Sequence, residues 1–141
     1  MDLRSTLEYL NCAFVNIQSV GNKTIQITEM LNEQSLDVLA ISETWLSEYD
    51  SSRIIEMTPA ATHIYFSPEP QGGRQKGSGV GIFLSNTFSH LRVLTPLKVS
   101  SFEYIEVSFK HQTQWIVYLV IYRPPWSNIN LFFREFSALL D

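Results

Sequence analysis

Four polar side chains at the ends of apolar segments are of types that could take part in phosphate chemistry. Glu43 and Asn16 end two early apolar segments, and Tyr122 and Arg123 end the longest apolar run of the chain. A carboxylate suits a hard divalent cation such as Mg²⁺, which takes oxygen ligands and often only one or two from the protein. An amide, a phenol and a guanidinium can each hydrogen-bond or pair with a phosphate oxygen. These residue types are compatible with metal-assisted phosphate chemistry.

Each of these residues also has a plain structural interpretation. Glu43 alone is as consistent with a solvated or helix-capping glutamate as with a metal ligand. Asn16 alone is typical of a turn, and the residues alone favour a strand-end aromatic side chain for Tyr122 and a surface arginine for Arg123. Position favours a shared site for Asn16 and Glu43, because the carboxyl ends of parallel strands meet at one edge of a sheet.

The first half of the chain predicts a strand–helix–strand unit. Cys12–Ile17 and Leu36–Ser42 are short apolar runs typical of buried strands. Between them, Asn22 can cap a helix that continues to about Asn32. This order indicates a βαβ unit with a right-handed crossover.

The second half is rich in strand-like segments on short connections, which favours antiparallel pairing. The predicted strands are His63–Phe66, Val80–Leu84, Leu91–Thr95, Tyr104–Phe109 and Trp115–Tyr122. Pro68–Ser78 is predicted to be a loop, and Asn130–Leu140 a helix with one apolar face. The whole order predicts an α/β layered sandwich.

Composition excludes several classes of protein. The chain has 141 residues, 45 % hydrophobic and 17 % charged, with a net charge of −4 and one cysteine. It is therefore not a disordered chain, a disulfide framework or a cysteine-rich zinc protein, and it has no basic field for nucleic acid. The longest apolar run is too short to cross a membrane, which takes roughly 20 residues. We expect a soluble intracellular protein with no membrane partner.

The glycine-rich segments do not fit the nucleotide-binding motifs. Gly72–Ser78 lacks the lysine spacing of a phosphate loop. Gly77–Gly81 has Ile82 where a dinucleotide fingerprint requires glycine, and it leads into a strand. It is more typical of a hairpin edge, where two backbones approach closely. The three histidines have no metal-ligand spacing.

Five segments, in this order, resemble one superfamily. They are Asn16–Lys23, Asp37–Leu46, Gly79–Phe83, Ser101–Tyr104 and Tyr122–Pro125. From about Val15 to its last residue, the chain resembles the endonuclease/exonuclease/phosphatase superfamily, and within it the apurinic-like endonuclease domain of LINE-type (non-LTR) retrotransposons. Gln18 departs from the arginine that this subtype usually has there.

The resemblance implies a four-layer α/β/β/α sandwich that cuts DNA phosphodiester bonds with Mg²⁺ or Mn²⁺, and a nuclear location. It implies that Glu43 binds the metal, that Asn16 lies near the phosphate and that Tyr122 supports the transition state. Arg123 would be a weaker contact to phosphate or DNA.

The superfamily's later motifs, Gly-Asp-Phe-Asn and Ser-Asp-His, are absent from the 141 residues. In the resemblance they supply the general base, a second asparagine and a histidine. We therefore expect residues 1–141 to form one incomplete domain, the N-terminal fragment of such an endonuclease, which is inactive alone and able to self-associate through an uncovered sheet. The alternatives are a phosphatase of the same superfamily and a non-catalytic binding module or domesticated fragment.

Overall fold

The computed structural model describes residues 9–21, 23–45, 62–66, 79–94 and 97–141, and these form two sheets and two helices. Sheet A has the strand order β1-β2-β4-β3, and sheet B has the order β5-β6-β7. The elements are β1 (Cys12–Asn16), α1 (Thr24–Glu33), β2 (Val38–Ser42), β3 (Thr62–Phe66), β4 (Val80–Ser85), β5 (Ser89–Leu94), β6 (Glu103–His111), β7 (Gln114–Tyr122) and α2 (Ile129–Leu140). Every predicted strand and helix is present, with boundaries that differ by a few residues. The predicted loop Pro68–Ser78 lies outside the described residues.

The strand–helix–strand unit forms as predicted. β1 and β2 are parallel, and α1 connects them, with Ile27 fully buried against Leu39, Ile41 and Phe83. Lys23 occupies the N-cap position of α1 without a side-chain cap, and the predicted cap, Asn22, lies outside the described residues. β2 is buried throughout. β1 instead alternates between exposed and half-buried residues, because it lies at the edge of sheet A.

The two sheets face each other across an apolar core. Val38 and Ala40 of β2 belong to the same cluster as Ile105 and Val107 of β6. The other buried members of this core are Val80, Ile82, Leu84, Phe88, Phe109 and Val120. Helix α1 covers the other face of sheet A. Helix α2 packs through Phe132 and Phe136 on Phe102, the residue before β6. The predicted α/β sandwich, present in part, is therefore confirmed.

Large apolar side chains remain exposed on the outer elements. Trp115 and Val117 of β7 are exposed, as are Phe133 of α2 and Phe14 of β1. Such surface is the feature from which self-association is expected, and self-association itself stays a prediction. None of the helices in the described part of the chain is long and apolar enough to span a membrane.

A carboxylate fixes α2 to the segment that precedes β6. Glu135 accepts hydrogen bonds from the backbone N–H groups of Ser100 and Ser101, each at 2.9 Å, and from the Ser101 hydroxyl. Burial raises the pKa of the Glu135 carboxyl, but these hydrogen bonds outweigh it and hold the pKa below its ordinary value. The ionised form of Glu135 therefore stabilises the fold.

Glu135→Gln is expected to lower the free energy of unfolding by about 1–2 kcal/mol near pH 7. One of the two accepting oxygens becomes an NH2 group that cannot accept, and the other loses its charge. Since the folded-state pKa is depressed, this contribution is complete above the unfolded-state pKa and disappears as the pH falls through the folded-state value. Urea unfolding of both proteins across that range measures it. Glu33→Gln, at the exposed end of α1, should have little effect. A difference between Glu135→Gln and the unsubstituted protein that persists in acid would contradict this account.

Candidate functional site

Asn16 and Glu43 lie at the end of sheet A where the parallel strands β1 and β2 finish. β1 and β2 are parallel, and Asn16 is the register partner of Ser42, the residue before Glu43. Asn16 is exposed and Glu43 is half-buried. The parallel arrangement on which the sequence argument depended is therefore present.

The turn that carries Glu43 is held by its neighbours. Glu43 has a left-handed backbone with φ +56°, which is uncommon for a residue other than glycine. The Glu43 carbonyl accepts the N–H of Ser19 at 2.8 Å, and the Thr44 carbonyl accepts the N–H of Val20 at 3.0 Å. Sparsely populated conformations of this kind persist where surrounding contacts enforce them, and they occur often at functional sites.

Tyr122 meets Glu43 although the two residues come from different sheets. The Tyr122 hydroxyl donates to Glu43 Oε1 at 2.9 Å, across 79 residues of sequence. Burial, this hydrogen bond and the negative charges of Glu43 and Glu103 raise the pKa of the Tyr122 phenol to about 12. Tyr122 is therefore a neutral hydrogen-bond donor at ordinary pH, held at the end of the sheet A strands.

Glu103 is a further residue of this group that the sequence argument did not assign a role. It begins β6 and is the register partner of Tyr122, and its Oε2 accepts the N–H of Gly79 at 2.8 Å. The sequence does contain a signal for it. Once His111 and Gln114 are paired across a tight hairpin, counting back along both strands places Glu103 opposite Tyr122.

Arg123 is directed to the turn before α2. Its Nη1 donates to the Ser127 carbonyl at 3.3 Å and to the Ser127 hydroxyl at 3.4 Å. The guanidinium carbon lies 5.9 Å from the centre of the Phe132 ring, within range of a cation–π contact. None of these contacts joins Arg123 to Glu43 or Tyr122, so the structure gives Arg123 a role in shaping the turn.

The donor atoms at this edge fit a hard cation that keeps most of its water. Among the described residues, no group of three or more His, Cys, Asp and Glu side chains could hold a metal ion. An all-protein cage of the zinc or calcium type is therefore not formed by them. A carboxylate such as Glu43, completed by water and substrate phosphate, is the usual way in which proteins bind Mg²⁺.

Comparison with known proteins establishes the fold. No family model and no curated protein matches the sequence. The endonuclease domain of TRAS1, a telomere-specific non-LTR retrotransposon, superposes with a TM-score of 0.66 at 10 % identity, over 89 % of this chain and 51 % of that domain. The fold is that of an endonuclease/exonuclease/phosphatase protein. One such protein, from Leptotrichia buccalis, superposes with a TM-score of 0.59 at 10 % identity, over 92 % of this chain and 61 % of that protein.

The resemblance predicted from the five segments is confirmed at the level of the fold, including the likeness to a retrotransposon endonuclease domain. The chain spans about half the length of the TRAS1 domain.

Proposed function

We propose that Asn16, Glu43 and Tyr122 form the upstream part of a Mg²⁺-dependent DNA endonuclease site of the retrotransposon type. Glu43 would be the metal ligand, and Asn16 and Tyr122 would contact the scissile phosphate. The observation that carries the proposal is the 2.9 Å hydrogen bond between Tyr122 and Glu43. It brings together two segments that were singled out separately from the sequence, at the edge that also holds Asn16.

The chain's own groups divide the work by their chemistry. Glu43 supplies the negative charge that a divalent cation requires, and bound Mg²⁺ would stabilise charge on the phosphate and on the leaving oxygen. Tyr122 keeps its proton, because the phenol pKa is raised to about 12. Its single O–H donates to Glu43 in this structure, and it would turn from Glu43 to donate to a phosphate oxygen that becomes more anionic in the transition state. The exposed Asn16 amide can donate to a second phosphate oxygen.

The choice of DNA as substrate is supported by the fold. The TRAS1 domain with which the chain superposes is an endonuclease. The net charge of −4 supplies no general attraction for a polyanion, so recognition would depend on the cation and on local donors. Nuclear location is part of the same proposal.

The 141 residues do not contain the motifs that would supply the general base in this proposal. General-base catalysis contributes about 10²- to 10⁴-fold, and the Gly-Asp-Phe-Asn and Asp-His segments that would supply it are absent from the sequence. The 141-residue chain is therefore expected to cut DNA very slowly.

Nicking of supercoiled DNA in Mg²⁺ and in EDTA tests the proposal. It should be measured for the 141-residue chain and for any longer polypeptide that contains it. We expect metal-dependent nicking by a longer form that carries the later motifs and little by the short chain. Efficient, Glu43-dependent nicking by the short chain would show that the site is already complete.

Two other outcomes would replace the proposal. Release of phosphate from small phosphoesters, without DNA nicking, would favour a phosphatase of the same superfamily. A soluble protein that binds DNA in both forms and cuts it in neither would favour a binding module.

A further inference from the structure

Glu103 connects the two sheets beside the pair of Glu43 and Tyr122. It belongs to sheet B, where it is the register partner of Tyr122. Its carboxylate accepts, at 2.8 Å, the N–H of Gly79, the residue before β4 of sheet A. Hydrogen bonds to an ionised acceptor are shorter and stronger than neutral ones. The contact therefore ties sheet A to sheet B at the end of the sandwich where the candidate site lies.

Gly79, which is held by Glu103, is itself in contact with Thr44. The Gly79 carbonyl accepts the Thr44 N–H at 3.2 Å. Gly79 has φ +105°, and a Cβ there would lie 2.1 Å from the Thr44 hydroxyl oxygen. Thr44 is almost completely buried. Only glycine allows this approach, so Glu103 reaches the residue after Glu43 through a single intermediate.

The backbone of Glu43 is consequently supported from two sides. On one side, the Ser19 N–H donates to the Glu43 carbonyl at 2.8 Å. On the other side, Gly79 holds Thr44. A left-handed residue such as Glu43, with φ +56°, relaxes to a commoner conformation when a support of this kind is lost.

We propose that Glu103 is a positioning residue. Through Gly79 and Thr44, a set that we call the Glu103 clamp, it fixes the backbone of Glu43 and thereby directs the Glu43 carboxylate toward a divalent cation. The identity of the cation rests on the proposed function, whereas the effect on the backbone does not. Removing a group that orients a metal ligand typically weakens metal binding about 10- to 100-fold.

Three substitutions separate positioning from charge. Glu103→Ala removes the acceptor, and Glu103→Gln keeps an acceptor oxygen without the charge. Glu106→Gln removes a charge from a half-buried glutamate further along the same strand. Hydrogen exchange of the Gly79 and Thr44 amides, followed by NMR, reports on the clamp. Mn²⁺ affinity, measured by electron paramagnetic resonance, reports on Glu43.

We expect Glu103→Ala to accelerate exchange of both amides about tenfold or more and to weaken Mn²⁺ binding about tenfold or more. Glu106→Gln should stay within about threefold of the unsubstituted protein, because the hydrogen bond to Gly79 is intact. Glu103→Gln keeps that hydrogen bond with a weaker, neutral acceptor, so its effects should lie between those of Glu106→Gln and Glu103→Ala. If Glu103→Ala does not fold, Glu103→Met replaces it, since methionine keeps the length of the side chain without an oxygen.

The other outcomes show whether the Glu103 clamp or the proposed cation is wrong. Unchanged exchange in Glu103→Ala would overturn the clamp, and equal losses of Mn²⁺ affinity in Glu103→Ala and Glu103→Gln would show that Glu103 acts by its charge. If the unsubstituted protein binds no Mn²⁺ while Glu103→Ala still accelerates both amides, the cation of the proposed function is wrong and the backbone clamp stands.

Discussion

Replacing Glu43 by glutamine is expected to reduce Mg²⁺-dependent DNA nicking about 10²- to 10³-fold, the usual effect of removing a group that stabilises transition-state charge. Glutamine has nearly the same size and keeps an oxygen that can accept the Tyr122 hydroxyl, which lies 2.9 Å from Glu43 Oε1. The substitution therefore removes the charge and preserves the packing. Because Mg²⁺ takes few ligands from the protein, loss of one carboxylate should also weaken Mn²⁺ binding at least about tenfold.

The measurement is the rate of nicking by the longer form that carries the later motifs, together with the Mn²⁺ affinity of that form. Glu106→Gln is the matched control, since Glu106 is also a half-buried glutamate but pairs with Leu119 within sheet B. An unfolding curve for each protein shows that the fold is retained. Nicking by Glu43→Gln within a few-fold of the unsubstituted rate would mean that Glu43 is not the metal ligand.

Much of the fold is readable from the sequence, because each strand of the core is a continuous or alternating apolar run. β2 was predicted as buried, and every one of its residues is buried. β1 shows where this reasoning stops. Its apolar residues predict a buried strand, but its exposure depends on its place at the edge of sheet A. Periodicity does not specify the order of strands in a sheet.

The same distinction separates the site residues. Asn16 and Glu43 could be placed together from the sequence, because a short βαβ unit puts the ends of its two strands at one edge. The contact between Tyr122 and Glu43 depends on how sheet B packs on sheet A, and no local pattern encodes that packing. In the sequence, only the resemblance to the endonuclease/exonuclease/phosphatase superfamily connects Tyr122 with Glu43.

Glu103 and Gly79 show what a local pattern could and could not reveal. The glycine-rich segment Gly77–Gly81 predicts a close approach of two backbones, and Gly79 does approach Thr44 closely. The partner could not be named, because no local pattern connects Gly79 with Thr44, which lies far from it in the sequence. The role of Glu103 depends on that unnamed partner.

Gly79→Ala is expected to lower the free energy of unfolding by about 3 kcal/mol, a large part of the 5–15 kcal/mol that stabilises a typical domain. Two costs combine. An L-residue at φ +105° is strained, which costs of order 1–3 kcal/mol. The new methyl group would also lie 2.1 Å from the Thr44 hydroxyl oxygen, and overpacking at a buried position costs about 1–3 kcal/mol.

A double-mutant cycle separates these two costs. Thr44→Ala removes the hydroxyl and leaves the Thr44 Cβ 3.4 Å from the new methyl group, an ordinary contact. In the Thr44→Ala background, Gly79→Ala should therefore cost only the backbone strain, about 1–3 kcal/mol. Urea unfolding of the four proteins gives each term, provided that the slope of each transition is unchanged. Equal costs of Gly79→Ala in both backgrounds would show that the steric contact with Thr44 does not contribute, and the conformation of Gly79 alone would then account for the glycine at this position.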